Sequence, residues 1–242
     1  MRIDIYLAEC GIASSRTEAK KFITDGVVTV NGVIINKPSF DVSGVEDKIE
    51  VDKSEYKYVS RGGIKLEKAI DFFKIDCCGK LCIDIGASSG GFTDCLLQNG
   101  AKHVIAVDAG TAQLSPMLAN DDRVTVMENY NARYMVRGDF EYSPTLAVMD
   151  VSFISATYIM EPLIACLDDG ADYICLIKPQ FEVGREGLGK GGIVKNEKVR
   201  DAAVKRVVEF AISVGFQYLG ITESPIKGGD GNIEFLAHFK KK

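Results

Sequence analysis

The sequence predicts an α/β protein: a sheet of mainly parallel strands flanked by helices, preceded by a small α+β module. Three observations carry this. From about residue 61 onward, short β-rich runs alternate with helical stretches, the pattern of parallel strands joined by crossover helices. Before that, a capped amphipathic helix and an Asn-Gly hairpin fall within residues 1 to about 52. Between the two, DKSEYKYVS (residues 52–60) is polar and lacks any period, as a joint would, so the predicted domains are 1–60 and 61–242. A chain of 242 residues is long enough for one large core and one small one.

In the first module Ser15, Arg16, Thr17 and Glu18 form a capping box, in which the serine hydroxyl takes a backbone N–H and Glu18 reaches back. The helix it opens carries Ala19, Phe22 and Ile23 on one face and Arg16 and Lys20 on another, and Gly26 marks its end. Two β-rich runs then flank Asn31 and Gly32, a pair suited to a tight hairpin because both tolerate positive φ. This segment, RIDIYLAECGIASSRTEAKKFITDGVVTVNGVIINKP, resembles the alpha-L RNA-binding module of a small-subunit ribosomal protein, tyrosyl-tRNA synthetase tails and pseudouridine synthases. The resemblance implies that Arg16, Lys20 and Lys21, with the hairpin, meet RNA phosphates; charged helix faces are otherwise ordinarily just solvated.

Composition narrows the field. Net charge is −5 and the first sixty residues hold eight Lys/Arg against ten Asp/Glu, so any RNA contact must use local patches rather than whole-domain basicity. The longest uncharged run, residues 210–222, is thirteen residues and includes Ser, Gly and Gln, too short and polar to span a bilayer. MRIDIYLAEC carries Asp4 and Glu9 and is not expected to be a signal peptide. Seven cysteines without a C-x-x-C, and only two histidines (His103 and His238), point to reduced structural thiols, no metal site and a cytoplasmic location.

The predicted strands of the larger part are KLCIDIG, HVIAVD, RVTVM, TLAVMD and YICLIKP, with helices over 92–99, 155–167 and 196–215. FQYLGITES and NIEFLAHF, joined by PIKGGDG, are expected to close the chain as a hairpin.

DIGASSGGFTD (residues 84–94) follows the first of these strands and runs into a helix, a geometry that presents free backbone N–H groups to a ligand. Asp108 ends the next strand, twenty-two residues after Gly86, where a carboxylate accepts hydrogen bonds from a ribose diol. An adenosine-bearing cofactor follows. In a dinucleotide site the second loop glycine lets backbone approach the pyrophosphate, but here Ser88 stands there and would crowd it. S-adenosyl-L-methionine carries no phosphate and suits a loop of Gly86, Ala87, Ser88, Gly90 and Gly91, with Asp84 placed to satisfy its ammonium. Phe92 either lines this site or packs as helix core.

Polar residues interrupt apolar strands at three further points: Asp150 ends TLAVMD, Lys178 ends YICLIK, and Glu234 sits in NIEFLAHF. Ligands of open α/β sheets bind beyond the carboxyl ends of parallel strands, which places Asp150 and Lys178 beside the cofactor. Pro179 biases Lys178 toward extended backbone. Lys65, in SRGGIKLEKA, reads by itself as a helix-surface lysine.

Taken together, SRGGIKLEKA, DIGASSGGFTD, MDVSF, LIKPQFE and NIEFLAHF resemble the FtsJ-type ribose 2′-O-methyltransferases. With the alpha-L module in front, the arrangement is similar to the TlyA (hemolysin A-like) rRNA methyltransferases over essentially the whole chain. The resemblance implies a Rossmann-like S-adenosylmethionine-dependent methyltransferase domain acting on ribosomal RNA or a ribosomal subunit. It also implies a catalytic Lys-Asp-Lys-Glu tetrad at Lys65, Asp150, Lys178 and Glu234, and an adenine-edge position at Asn131. The residue types fit the chemistry: a 2′-hydroxyl attacks a sulfonium methyl only as its proton leaves, and Lys178 would accept or steer that proton. Asp150 and Glu234 would hold the two lysines, no metal is needed, and most of the rate would come from alignment in a dry pocket. FEVGREGLGKGGIVKN (residues 181–196), with Arg185 and Lys190, reads either as a basic lid touching RNA backbone or as an ordinary loop.

Three rivals remain at this level. DVSF stands where amino-methyltransferases carry Asp/Asn-Pro-Pro-aromatic, but has no prolines and leaves Lys65 and Lys178 without a role. A non-catalytic RNA-binding protein would need neither the loop nor the tetrad. A membrane-active haemolysin would call for a spanning segment or a basic amphipathic helix.

Overall fold

The structure, a computed structural model, describes residues 1–13, 15–52, 57–228 and 231–242. The chain forms two compact units, Met1–Lys57 and Tyr58–Lys242. Tyr58 is buried in the core of the second unit, and Val59 N donates to Asp94 Oδ2 at 2.8 Å. The second unit therefore takes up residues 58–60, which the sequence alone assigns to the joint. A tyrosine in a polar stretch has no period to betray its burial.

In the first unit, helices α1 (Ile3–Glu9) and α2 (Arg16–Thr24) pack on strands β1 (Val28–Val30), β2 (Val33–Ile34) and β3 (Ile49–Val51), arranged β2-β1-β3 with both pairings antiparallel. Ser15 Oγ accepts from Glu18 N at 3.2 Å, the cap the sequence predicts. Asn31 and Gly32 take φ of 52° and 79°, so the β1–β2 turn has both central residues left-handed. Ile3, Leu7, Phe22, Ile23 and Val28 make the core. Neither α1 nor β3 is marked in the sequence: one is two turns long and the other three residues, too short for a periodic signal.

The second unit holds α3 (Gly62–Phe73), β4 (Leu81–Ile85), α4 (Gly91–Gln98), β5 (His103–Val107), α5 (Pro116–Ala119), β6 (Val124–Met127), β7 (Leu146–Met149), α6 (Thr157–Cys166), β8 (Asp172–Ile177), α7 (Pro179–Glu182), α8 (Glu197–Ser213), β9 (Phe216–Glu223) and β10 (Phe235–Lys241). They build one seven-stranded sheet in the order β6-β5-β4-β7-β8-β10-β9. The first five are parallel, and the β9–β10 hairpin adds antiparallel. Both faces are covered, which is why the central strands read as near-continuous apolar runs. Cys82 faces a cluster with Leu66, Ala69 and Leu96 of α3 and α4, whereas Ile83 and Ile85 face one with Ile159, Leu163 and Val207 of α6 and α8. Among the described residues no helix is long and apolar enough to cross a membrane.

The chain runs outward from β4 through β5 to β6, then returns to the other side of β4 with β7 and β8. The crevice where strand order reverses therefore lies at the carboxyl ends of β4 and β7, just where the glycine loop and Asp150 emerge.

Candidate active site

The glycine loop is shaped by close approach. Gly86 has φ 81°, and a Cβ there would run into the carbonyl oxygen of Asp150, so the loop passes flat against the end of β7. Ser88 has φ 47°, and its N–H donates to Asp108 Oδ2 at 2.7 Å. Gly110 N donates to Asp108 Oδ1, also at 2.7 Å. One N–H on each oxygen orients the Asp108 carboxylate and leaves lone pairs for a diol. Glu128, after β6, takes the N–H groups of Ala112, Gln113 and Leu114 and so holds the loop beyond Asp108. A cavity of about 530 Å³ opens here, lined by Gly86, Ser88, Asp108, Asn131, Asp150 and Phe153 among others.

Asp84 lies beneath the loop, fully buried, and neither cavity of the site reaches its surface. Its Oδ2 accepts from Thr93 Oγ1 at 2.7 Å, while Oδ1 has no hydrogen-bond partner among the described residues. Burial pushes its carboxyl up to about 7, opposed by the Thr93 bond and reinforced by the negative charges of Asp150 and Asp108. Gly90 departs from expectation. It lines neither cavity, and its left-handed backbone (φ 95°) turns the chain into α4 against Leu114 and Leu118. Phe92 does both things open to it, packing in the core at 3% exposure while lining the smaller cavity. Asn131 spends its Oδ1 on the N–H of Arg133, capping a single turn, with its side chain at the larger cavity.

That smaller cavity, about 250 Å³, is lined by Ala87, Gly91, Lys65, Asp150, Lys178 and others, and shares Gly86, Ser88, Asp150 and Ser152 with the larger one. Two ion pairs organise it. Lys178 Nζ stands 2.6 Å from Asp150 Oδ1 and donates to Ser152 Oγ at 2.8 Å. Lys65 Nζ lies 2.5 Å from Glu234 Oε2, with both side chains buried. Each position follows from local structure. Lys178 is extended (φ −110°, ψ 98°) with Pro179 opening α7 behind it. Phe235 pairs with Ile177 across the β8–β10 ladder, so one step further brings Glu234 level with Lys178. Lys65 is no surface residue: the N-termini of α3 and α4 meet so closely that a Cβ on Gly91 would come within 2.9 Å of Gly63 N. That contact turns the Lys65 side of α3 inward, a long-range effect invisible in helix spacing.

Several lining residues carry no signal of their own in the sequence. Ser152, Arg61 and Lys227 line the smaller cavity, and Gln180 Nε2 donates to Glu234 Oε1 at 3.5 Å. Phe153 is 91% exposed with φ 63°, a backbone region unfavourable to a bulky side chain, and its ring lies 5.2 Å from that of Phe181. Arg61, Ser152 and Phe153 fall inside stretches that carry the family resemblance, but residue type alone assigns none of them a role.

The expected RNA-binding residues fare differently. Arg16, Lys20 and Lys21 are exposed on α2, but Arg16 Nε also lies 2.8 Å from Oδ2 of the fully buried Asp4. Burial would raise the Asp4 carboxyl, and the bonds from Arg16 and Arg2 outweigh it and hold it below its usual range. Arg16 is thus part of the unit's own framework. Lys190 is exposed in a short 3-10 turn and lines neither cavity, while the side chain of Arg185 lies outside the described residues. The turn is anchored by buried Asn232, which accepts from Val194 N at 2.9 Å and donates to Gly192 O at 3.1 Å.

A mostly parallel seven-stranded sheet, a glycine loop and facing acid at its switch point, and two lysine–carboxylate pairs beside them define an α/β methyltransferase of Rossmann-like fold. Residues 58–241 match the FtsJ-like methyltransferase model and residues 1–49 the S4 domain, so the chain belongs to the FtsJ-like methyltransferase family behind an S4 domain. It is 47% identical over 238 residues to "Putative rRNA methyltransferase YqxC" of Bacillus subtilis, covering 98% of this chain and 84% of that one. It is 40% identical over 235 residues to the "16S/23S rRNA (cytidine-2'-O)-methyltransferase TlyA" of Mycobacterium tuberculosis, covering 97% and 88%. Among solved structures, "Putative hemolysin from Streptococcus thermophilus" superposes with a TM-score of 0.80 at 44% identity, covering 100% of this chain and 88% of that one.

Proposed function

We propose that this protein transfers a methyl group from S-adenosyl-L-methionine to a ribose 2′-hydroxyl of ribosomal RNA, acting in the cytoplasm on free RNA or a ribosomal subunit. The observation that carries the reading is that Lys65, Asp150 and Lys178 line one cavity, with Glu234 holding Lys65, and that this cavity shares an edge with the loop-lined one.

The residues fit the cofactor. Asp108, at the larger cavity, keeps acceptor capacity for a diol; Asp84, beneath the loop and closed off from both cavities, keeps a partnerless Oδ1. When bound, the cofactor supplies an electrophilic methyl group on a sulfonium. Asn131 and the 109–113 loop flank the space its adenine would take.

Lys178 takes or steers the proton of the 2′-hydroxyl as the oxygen attacks. Asp150 and Ser152 fix its nitrogen from two sides, which limits the geometries it samples. Lys65, steadied by Glu234, places a second cation beside the acceptor oxygen, where negative charge develops. Phe153 and Phe181 offer aromatic faces to a base next to Lys178. On the first unit, exposed Lys20 and Lys21 supply phosphate contacts.

Digesting RNA that the purified protein has methylated to single nucleosides tests this. A ribose-methylated nucleoside supports the reading, and a base-methylated one would replace it with amine or carbon transfer.

A further inference from the structure

Glu182 is a buried carboxylate that the chemistry above does not use. Its side chain comes from the last residue of α7, four positions after Lys178, and is 4% exposed. Oε1 accepts the N–H of Ala156 at 2.8 Å and Oε2 the hydroxyl of Ser155 at 2.6 Å, with Arg206 of α8 3.8 Å from Oε2. Ala156 is the N-cap of α6 and has no side chain with which to cap it. Glu182, from the neighbouring β–α connection, takes the N–H of the N-cap residue itself, while Ser155 Oγ accepts Thr157 N at 3.3 Å; the carboxylate stands at the helix end where a negative charge is favoured.

What this joins matters. Residues 150–156 carry Asp150, Ser152 and Phe153; residues 178–182 carry Lys178 and Phe181. At the sheet end the two segments meet through Lys178, Asp150 and Ser152, and at the far end through Glu182, Ser155 and Ala156. Asp150 is itself fixed to β4 by its N–H to Ile85 O at 2.9 Å. Phe153, in its unfavourable left-handed backbone, sits between these two anchors, and such a conformation persists only where its surroundings over-determine it.

We propose that Glu182 is a positioning residue for methyl transfer: by holding the N-cap residue of α6 it locks the segment after Asp150 onto the turn after Lys178, so the two move as one body. The inference rests on the reading that Asp150 and Lys178 perform the transfer. Its effect is on alignment, so it belongs to the rate of the bound complex and not to cofactor affinity.

The test compares Glu182→Ala, Glu182→Gln and Ser155→Ala with the unaltered protein. It uses single-turnover transfer to saturating ribosomal subunits, and calorimetry with S-adenosylhomocysteine. Glu182→Ala is expected to slow the bound-state rate by about tenfold or more while leaving the affinity for S-adenosylhomocysteine within about threefold. Glu182→Gln, which keeps an acceptor for Ala156 N and a polar partner for Ser155, is expected to recover most of the rate. Ser155→Ala, which removes one bond of the bridge without touching Glu182, is expected to slow transfer by a smaller factor. A normal rate in Glu182→Ala overturns the inference, and so does a loss of affinity and melting temperature that accounts for the whole loss of rate. If the unaltered protein methylates no ribose, the proposed function fails with it; if it does and Glu182→Ala matches it, only the role of Glu182 falls.

Discussion

Lys65 and Glu234 stand 169 residues apart in the chain, yet Nζ of one lies 2.5 Å from Oε2 of the other with both side chains buried. A buried pair contributes little net stability compared with apolar residues of the same size, but losing one partner strands the other charge at about 3–5 kcal/mol. Lys65→Met should therefore destabilise the fold by about that amount, and Lys65→Met with Glu234→Met should restore most of it without restoring methyl transfer. Urea unfolding and a transfer assay on the same samples check this; a stable, active double variant would reduce the pair to scaffolding.

The buried Asp84 makes the stability of the fold pH-dependent. Its carboxyl is raised from an ordinary 3.8 to about 7, so the fold retains a proton that the unfolded chain releases. The stability this group gives is full below 3.8 and is lost as pH rises to about 7. Urea unfolding followed across neutral pH measures that linkage. Asp84→Asn should flatten the dependence; an unchanged pH profile in that variant would place the linked proton elsewhere.

At the opposite end of the strands Asp172, which opens β8, shows the reverse sign. Burial alone would raise its carboxyl, but bonds from His238 Nε2 at 3.0 Å and Lys80 Nζ at 2.7 Å outweigh it and bring it to about 2. The stability it contributes is on the order of 2 kcal/mol, present above 3.8 and lost as pH falls toward about 2. Asp172→Asn should lower stability at neutral pH and make acid unfolding less steep. An acid limb identical to that of the unaltered protein would contradict the assignment.

How much of this is legible in the sequence depends on how local its cause is. Strands such as LAVM and YICLI announce themselves because a parallel sheet covered on both faces needs no polar alternation. Asp150 and Lys178 stand out as polar residues ending such runs. Lys65 does not, because its burial is set by the meeting of Gly63 and Gly91 from separate motifs. Glu182 and Ser152 stay hidden for the same reason, since their partners lie 26 residues away in the neighbouring connection. Arg16 looks like a free surface cation until α1 brings Asp4 against it.

The Arg16–Asp4 pair shapes how the first unit is probed. Arg16→Ala would leave the buried carboxylate of Asp4 with Arg2 alone and confuse folding with binding. Lys20→Ala with Lys21→Ala should instead lower affinity for ribosomal RNA, reducing the slope of log K against log salt by about one for each phosphate no longer neutralised. A slope unchanged across a salt titration would remove α2 from the RNA interface.

The proposed chemistry turns on Lys178, held by Asp150 and Ser152 where the acceptor hydroxyl must lose its proton. The decisive measurement is single-turnover methylation of ribosomal RNA by Lys178→Ala, with S-adenosylhomocysteine affinity determined on the same protein. Transfer is expected to fall by about a hundredfold or more while affinity stays nearly unchanged. Near-normal transfer by that variant would take Lys178 out of the proton's path and leave the proposed mechanism without its base.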